Sequence, residues 1–138
     1  MPAMAEGCGK IAAMDNPHKG RRGFDRLRHA TRNSLDGLQV AFREESAFRQ
    51  ELGLVVLLAP AALWLGTTWV ERALLLGSLA LVLIVELLNS GIEAAIDRIS
   101  YDNHDLSKRS KDLASAAVMV SLLACGGTWL AALWTRLS

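Results

Sequence analysis

Charged side chains are missing from three long stretches of this 138-residue chain. Leu52–Val70, Ala73–Val85 and Leu113–Trp134 contain no Asp, Glu, Lys or Arg at all. Segments of that kind lack the polar face that a buried helix of a soluble bundle turns to water, so an ordinary soluble domain is excluded. Cysteine is scarce too: Cys8 and Cys125 stand far apart with no framework spacing, so neither a disulfide scaffold nor a thiolate metal site follows. His18, His29 and His104 show no ligand spacing either. A phosphate-binding P-loop is absent, because Gly7-Cys8-Gly9-Lys10 lacks both the four-residue gap between its glycines and the Ser or Thr after Lys. Residues 1–23 have no continuous apolar core of the cleaved signal-peptide kind and are expected to form a disordered tail. There is no internal repeat, and a net charge of +1 points to no class of partner.

What the chain does have is apolar length. Leu52–Val70 at 1.5 Å per residue covers roughly 28 Å, enough to cross a hydrocarbon core. A second apolar helix is expected over residues 73–99 and a third over 113–134, with a very short turn at Glu71-Arg72 between the first two. The small residues Ala114, Ser115, Ala116, Ala117, Gly126 and Gly127 in the third would let another helix approach closely. The predicted fold is all-α: an integral membrane bundle of three spans per chain. Lys and Arg cluster before the first span and between the second and third, from Arg98 to Lys111, whereas the other side carries only Arg72 and Arg136. By the positive-inside rule the amino terminus and the 98–112 loop are cytoplasmic.

Before the spans, Phe24, Leu27, Thr31, Leu35, Leu38 and Phe42 recur at steps of three or four and draw one helical stripe. Arg26, Arg28, Arg32 and Arg43 fall largely elsewhere on the helix. This pattern predicts a basic amphipathic helix over about 24–50, lying in the interface with its arginines near anionic headgroups.

The second span ends in a stretch that does not suit lipid. In VELLNSGIEAAID, Glu86, Asn89, Glu93 and Asp97 advance by three, four and four, and so form one column on one helix face. Carboxylates at membrane depth cost several kcal/mol and tend to face a bundle interior or a wet cavity. A poorly solvated Glu86 is a better proton acceptor than an exposed Glu. Glu93, nearer the headgroups, suits a hard cation such as Mg²⁺, which prefers oxygen ligands and reaches phosphates at the same time. Glu45 or Glu51, just before the first span, can meet the same level. Lys108, Arg109 and Lys111 add positive charge where an anionic polyphosphate would arrive. The same column would also serve as helix-to-helix glue or as the acid path of a small ion-coupled transporter.

Glu86-x-x-Asn89-Ser90-x-Ile92-Glu93-x-x-Ile96-Asp97 resembles the signature of the prokaryotic diacylglycerol kinase family. Glu44–Glu51 (EESAFRQE) is similar to the family's segment before its first span, and His104–Val118 (HDLSKRSKDLASAAV) to its loop and third-span entry. The resemblance implies a homotrimeric inner-membrane kinase that moves the γ-phosphate of Mg-ATP to the hydroxyl of diacylglycerol, giving phosphatidic acid. It makes Glu86 the general base and Glu45 and Glu93 the Mg²⁺ ligands, with Asn89 positioning groups beside Glu86. Nucleotide contacts are implied for Arg26, Asn33, Glu45, Glu93, Asp97, Asp102, Asn103, His104, Lys111 and Asp112. Lipid contacts are implied for Arg26, for Ser46, Ala47, Phe48, Arg49, Gln50 and Glu51, and for Glu86, Asn89, Ser115 and Trp129. Family members carry aromatics where this chain has Asn33 and Leu35, so aromatic stacking does not carry over there. A polyprenol kinase of the same architecture would share the signature.

Overall fold

The computed structural model describes residues 23–99 and 105–138, and four helices take up nearly all of them. They are α1 (Phe24–Glu44), α2 (Ser46–Leu65), α3 (Trp69–Ile99) and α4 (Asp105–Leu137). The last three are long and apolar enough to cross a membrane, as the charge-free runs predict. Of the tail expected over residues 1–23 only Gly23 falls within the described residues, and Asp102, Asn103 and His104 lie outside them.

The chain divides into two units, residues 1–36 and 37–138, with the boundary inside α1. In the first, the apolar stripe of the helix is uncovered: Phe24, Leu27 and Leu35 are all exposed. In the second, α3 is the central element and packs against both α4 and α2.

Two helix boundaries differ from the pattern in the sequence. The helical periodicity runs on to about residue 50, yet the helix breaks at Glu45, whose φ of −96° and ψ of 113° are extended. Arg49 makes the break tenable. Its guanidinium donates to the carbonyls of Phe42 at 3.2 Å and Arg43 at 3.0 Å, both in the last turn of α1, where carbonyls lack intrahelical partners. The turn between the first two spans lies at Gly66–Thr68 rather than at Glu71-Arg72, and both charged residues belong to the start of α3.

The physical reason is capping. Glu71 Oε2 accepts from the Thr67 amide at 2.7 Å, the Thr67 hydroxyl at 2.5 Å and the Thr68 amide at 3.2 Å. The Glu71 amide in return donates to Thr68 Oγ1 at 3.2 Å, the reciprocal pattern of a capping box. Arg72 Nε donates to the Gly66 carbonyl at 3.0 Å, and its guanidinium lies 4.9 Å from the Trp69 ring centroid. A Cβ on Gly66 would stand 2.6 Å from Arg72 Cγ and 2.9 Å from the Arg72 amide nitrogen, so this tight return needs glycine.

Beside that turn sits the tightest packing: Ala62, Leu65 and Leu75 are buried, with Leu76, Trp129 and Ala132 against them. Elsewhere the helices leave their apolar surface uncovered. Only 6% of the most apolar window of α4 is buried within the chain.

Candidate active site

At its Ile99 end α3 changes character. Glu86 is buried, with 4% of its surface exposed, and follows thirteen residues of the same helix, Ala73–Val85, that carry no charge. The three- and four-residue steps that put Glu86, Asn89, Glu93 and Asp97 in one column depend only on helical geometry, and α3 is continuous through all four.

Three other acids lie within electrostatic reach of Glu86. Glu45, Glu51 and Glu93 all stand close enough to interact electrostatically with its carboxylate. They come from different places: Glu51 from the second turn of α2, Glu93 from two turns further along α3, and Glu45 from the break between α1 and α2. Glu45 occupies the cap position of α2, yet its carboxylate makes no capping hydrogen bond and is left for other work. The break at Glu45 sets this carboxylate on the flank of α2 instead of in a helix running straight on from α1.

Asn89 Nδ2 donates to Glu93 Oε1 at 3.2 Å, orienting that carboxylate. Further along, Lys111 Nζ pairs with Asp97 Oδ1 at 2.5 Å and ties α4 to α3, while Lys108 pairs with Asp112 at 2.6 Å within α4. Lys111, Asp97 and Asp112 therefore gather at one end of the bundle, next to the acidic group.

Three of the four buried side-chain polar atoms left without partners among the described residues belong to Glu51 and to this end of α3. Glu51 Oε2, Asn89 Oδ1 and Ser90 Oγ are shielded and unpaired. Buried polar groups ordinarily find a hydrogen-bond partner, so a cluster of orphans is a place where a ligand's own polar groups fit. Ser90 is the member that sequence reasoning did not single out. It stands inside the signature, but a serine on a helix usually signals nothing more than a small residue.

The remaining lipid-facing candidates on α2 spread around the helix: Phe48 is buried, whereas Ser46, Ala47, Arg49 and Gln50 are exposed. Ser115 is exposed on α4. Arg26 and Asn33 belong to the first unit and are exposed on its helix. Trp129 stands apart from the acids, packed on the Ala62–Leu65–Leu75 cluster, with its indole N–H unpaired. Leu75 precedes Glu86 by eleven residues on α3, roughly 16 Å along the axis. Trp129 also lines an apolar groove of about 450 Å³ with Trp64, Leu65, Gly126, Leu130 and Leu133.

Among the described residues, no group of three or more His, Cys, Asp or Glu is placed to hold a metal ion. Two carboxylates that leave the remaining coordination to water and phosphate match the habits of Mg²⁺.

Residues 32–133 match the family model described as prokaryotic diacylglycerol kinase. The chain is 49% identical over 114 residues to the diacylglycerol kinase of Pseudomonas aeruginosa, covering 83% of this chain and 93% of that one. It is 47% identical over 115 residues to the diacylglycerol kinase of Escherichia coli, with the same coverage of 83% and 93%. The diacylglycerol kinase of Haemophilus influenzae is 43% identical over 107 residues, 78% of this chain and 91% of that one. A match that runs through three apolar helices and the acidic column alike places this chain in the prokaryotic diacylglycerol kinase family.

Proposed function

We propose that the protein is an ATP-dependent diacylglycerol kinase that transfers the γ-phosphate of ATP to the lipid hydroxyl, yielding phosphatidic acid and ADP. The observation that carries this reading is the buried Glu86 with Glu93 on the same helix face and Glu45 and Glu51 delivered beside it. A lipid alcohol approaches from the apolar side and a nucleotide from water, and the column joins the two.

Phosphoryl transfer asks mainly for alignment and for neutralisation of charge around the transferred group. Glu86 takes the proton of the lipid hydroxyl as the oxygen attacks, which is the work of a carboxylate held within a poorly solvated site. Glu45 and Glu93 are the groups that would hold Mg²⁺, one uncommitted at a helix cap and the other oriented by Asn89. When bound, that ion supplies charge neutralisation on the polyphosphate. Lys111, paired with Asp97, contacts the nucleotide together with Asp97 and Asp112. On the lipid side, Ser46–Glu51 and Ser115 flank the glycerol end. The groove at Trp129 is wide enough and apolar enough to take an acyl chain.

The active form is a homotrimer in this reading. Three helices leave α4 almost wholly uncovered, and its small-residue face suits close approach of a second copy. The enzyme sits in the inner membrane with its amino terminus and the 98–112 loop in the cytoplasm, as the distribution of Lys and Arg favours.

The deciding experiment incubates purified protein with γ-labelled ATP, Mg²⁺ and either diacylglycerol or a polyprenol in mixed micelles. Label should enter phosphatidic acid, far faster than polyprenyl phosphate, and only with Mg²⁺ present. Failure to label any lipid, or preference for the polyprenol, would refute the proposal.

A further inference from the structure

Most hydroxyl groups on these helices follow a habit, and the exposed Ser115, which water can serve, is one that does not. Thr31, Ser34, Ser78, Ser110, Ser121 and Thr128 each donate to a backbone carbonyl three or four residues earlier, at 2.7–3.0 Å. That back-bonding is what a helical hydroxyl does when nothing else claims it. Ser90 does not follow it. Its Oγ is buried, makes no hydrogen bond to a carbonyl behind it, and is the one hydroxyl among the buried side-chain atoms of the described residues left without a partner.

Its position is specific. Ser90 lies four residues after Glu86 and three before Glu93, so it shares their helix face. Along the axis it stands about 6 Å from the Glu86 level and about 4.5 Å from the Glu93 level. The acceptor alcohol belongs at the first level and the polyphosphate at the second, so the phosphorus that moves must pass between them.

We propose that the Ser90 hydroxyl donates a hydrogen bond to an oxygen of the phosphoryl group in transfer, making Ser90 a catalytic residue of this site. The assignment rests on the kinase reading above. A neutral donor fits this place: two carboxylates flank it, and a third anion would repel the transferred group, whereas a hydroxyl opposes it with a positive hydrogen. An orphan in the resting site also avoids a competitor, because a back-bonded hydroxyl would have to break that bond in each turnover. Glu51 Oε2 and Asn89 Oδ1, the neighbouring orphans, are acceptors and cannot serve a phosphoryl oxygen in the same way when Glu51 is ionised.

The test compares wild type, Ser90→Ala and Ser90→Cys as full-length protein in lipid–detergent micelles. Turnover, both KM values and the thermal midpoint are measured. Loss of a hydrogen bond to a charged group costs on the order of ten- to a hundredfold in rate. Ser90→Ala should therefore lower kcat by ten- to a hundredfold with KM for ATP and for lipid within threefold of wild type. Its thermal midpoint should be unchanged or higher, since the alanine removes an unsatisfied buried hydroxyl. Ser90→Cys, of similar shape with a weaker donor, should fall between.

A kcat for Ser90→Ala within twofold of wild type overturns the assignment. So does a fall in midpoint alongside activity, which is the signature of a packing role, and so does a rise in lipid KM at constant kcat, which would place the hydroxyl on the glycerol moiety instead. If wild type itself transfers no phosphate to lipid, it is the kinase reading that fails, and the comparison shows this before any variant is measured.

Discussion

Asn89 reaches one turn along α3 and donates to Glu93, Nδ2 to Oε1 at 3.2 Å, while its own carbonyl oxygen stays buried and unpaired. One side chain thus holds an acid in place and offers a free acceptor on its other atom. Replacing Asn89 by Ala releases the Glu93 carboxylate. Supporting groups of this kind are typically worth 10–100-fold in metal affinity or activity. The Mg²⁺ concentration for half-maximal rate should rise by roughly tenfold, as read from an activity titration.

Glu86→Gln keeps the shape of the side chain and removes the proton acceptor. General base catalysis contributes about 10²–10⁴-fold, so kcat should fall within that range. Assembly should be intact by size-exclusion chromatography in detergent, because among the described residues Glu86 makes no ion pair on which the packing depends. Turnover near the wild-type value would move the base elsewhere, with Glu51 the first candidate.

Glu45→Gln separates binding from folding. The carboxylate performs no capping at the start of α2, so the thermal midpoint should not change. The Mg²⁺ requirement should rise by about tenfold or more if Glu45 is a ligand. A drop in midpoint with an unaltered Mg²⁺ titration would instead make it a structural residue.

Glu71→Ala strikes the opposite end of the molecule. Three hydrogen bonds onto its carboxylate close the Gly66–Thr68 turn, and their loss should lower the thermal midpoint by a few degrees, on the order expected for a lost cap. Specific activity of the folded fraction should stay at the wild-type level. Equal loss of activity and stability would reveal communication between the turn and the acids.

Leu75→Ala removes the largest fully buried side chain of the described residues. In lipid there is little transfer term to lose, since hydrocarbon tails are as apolar as leucine. The cost should therefore come from the cavity and lie near the lower end of the usual range, about 2 kcal/mol, measurable by reversible unfolding in mixed micelles.

Much of this was legible in the residues themselves. The absence of charge over 52–70, 73–85 and 113–134 marks three apolar helices because no soluble packing could satisfy them. The steps from Glu86 to Asp97 place four polar groups on one face, since an unbroken helix obliges residues three and four apart to stack. The helix ends were harder to read. Glu45 carries no Gly or Pro signal, and Glu71-Arg72 looks like a charged loop when it is the first turn of α3 closing on its own cap.

The chemistry of each side chain and its helical register were determined by the sequence alone, because register is a local property of neighbouring residues. Tertiary structure decided the rest. It brought Glu45 and Glu51 to Glu86 from another helix and its flank, put Lys111 on Asp97, and set Trp129 with Leu65 and Leu75 far from the acids. It also showed which buried polar atoms are unpaired, Ser90 among them. Partnership between distant residues depends on how helices pack in three dimensions, and no spacing along one chain can encode a missing partner.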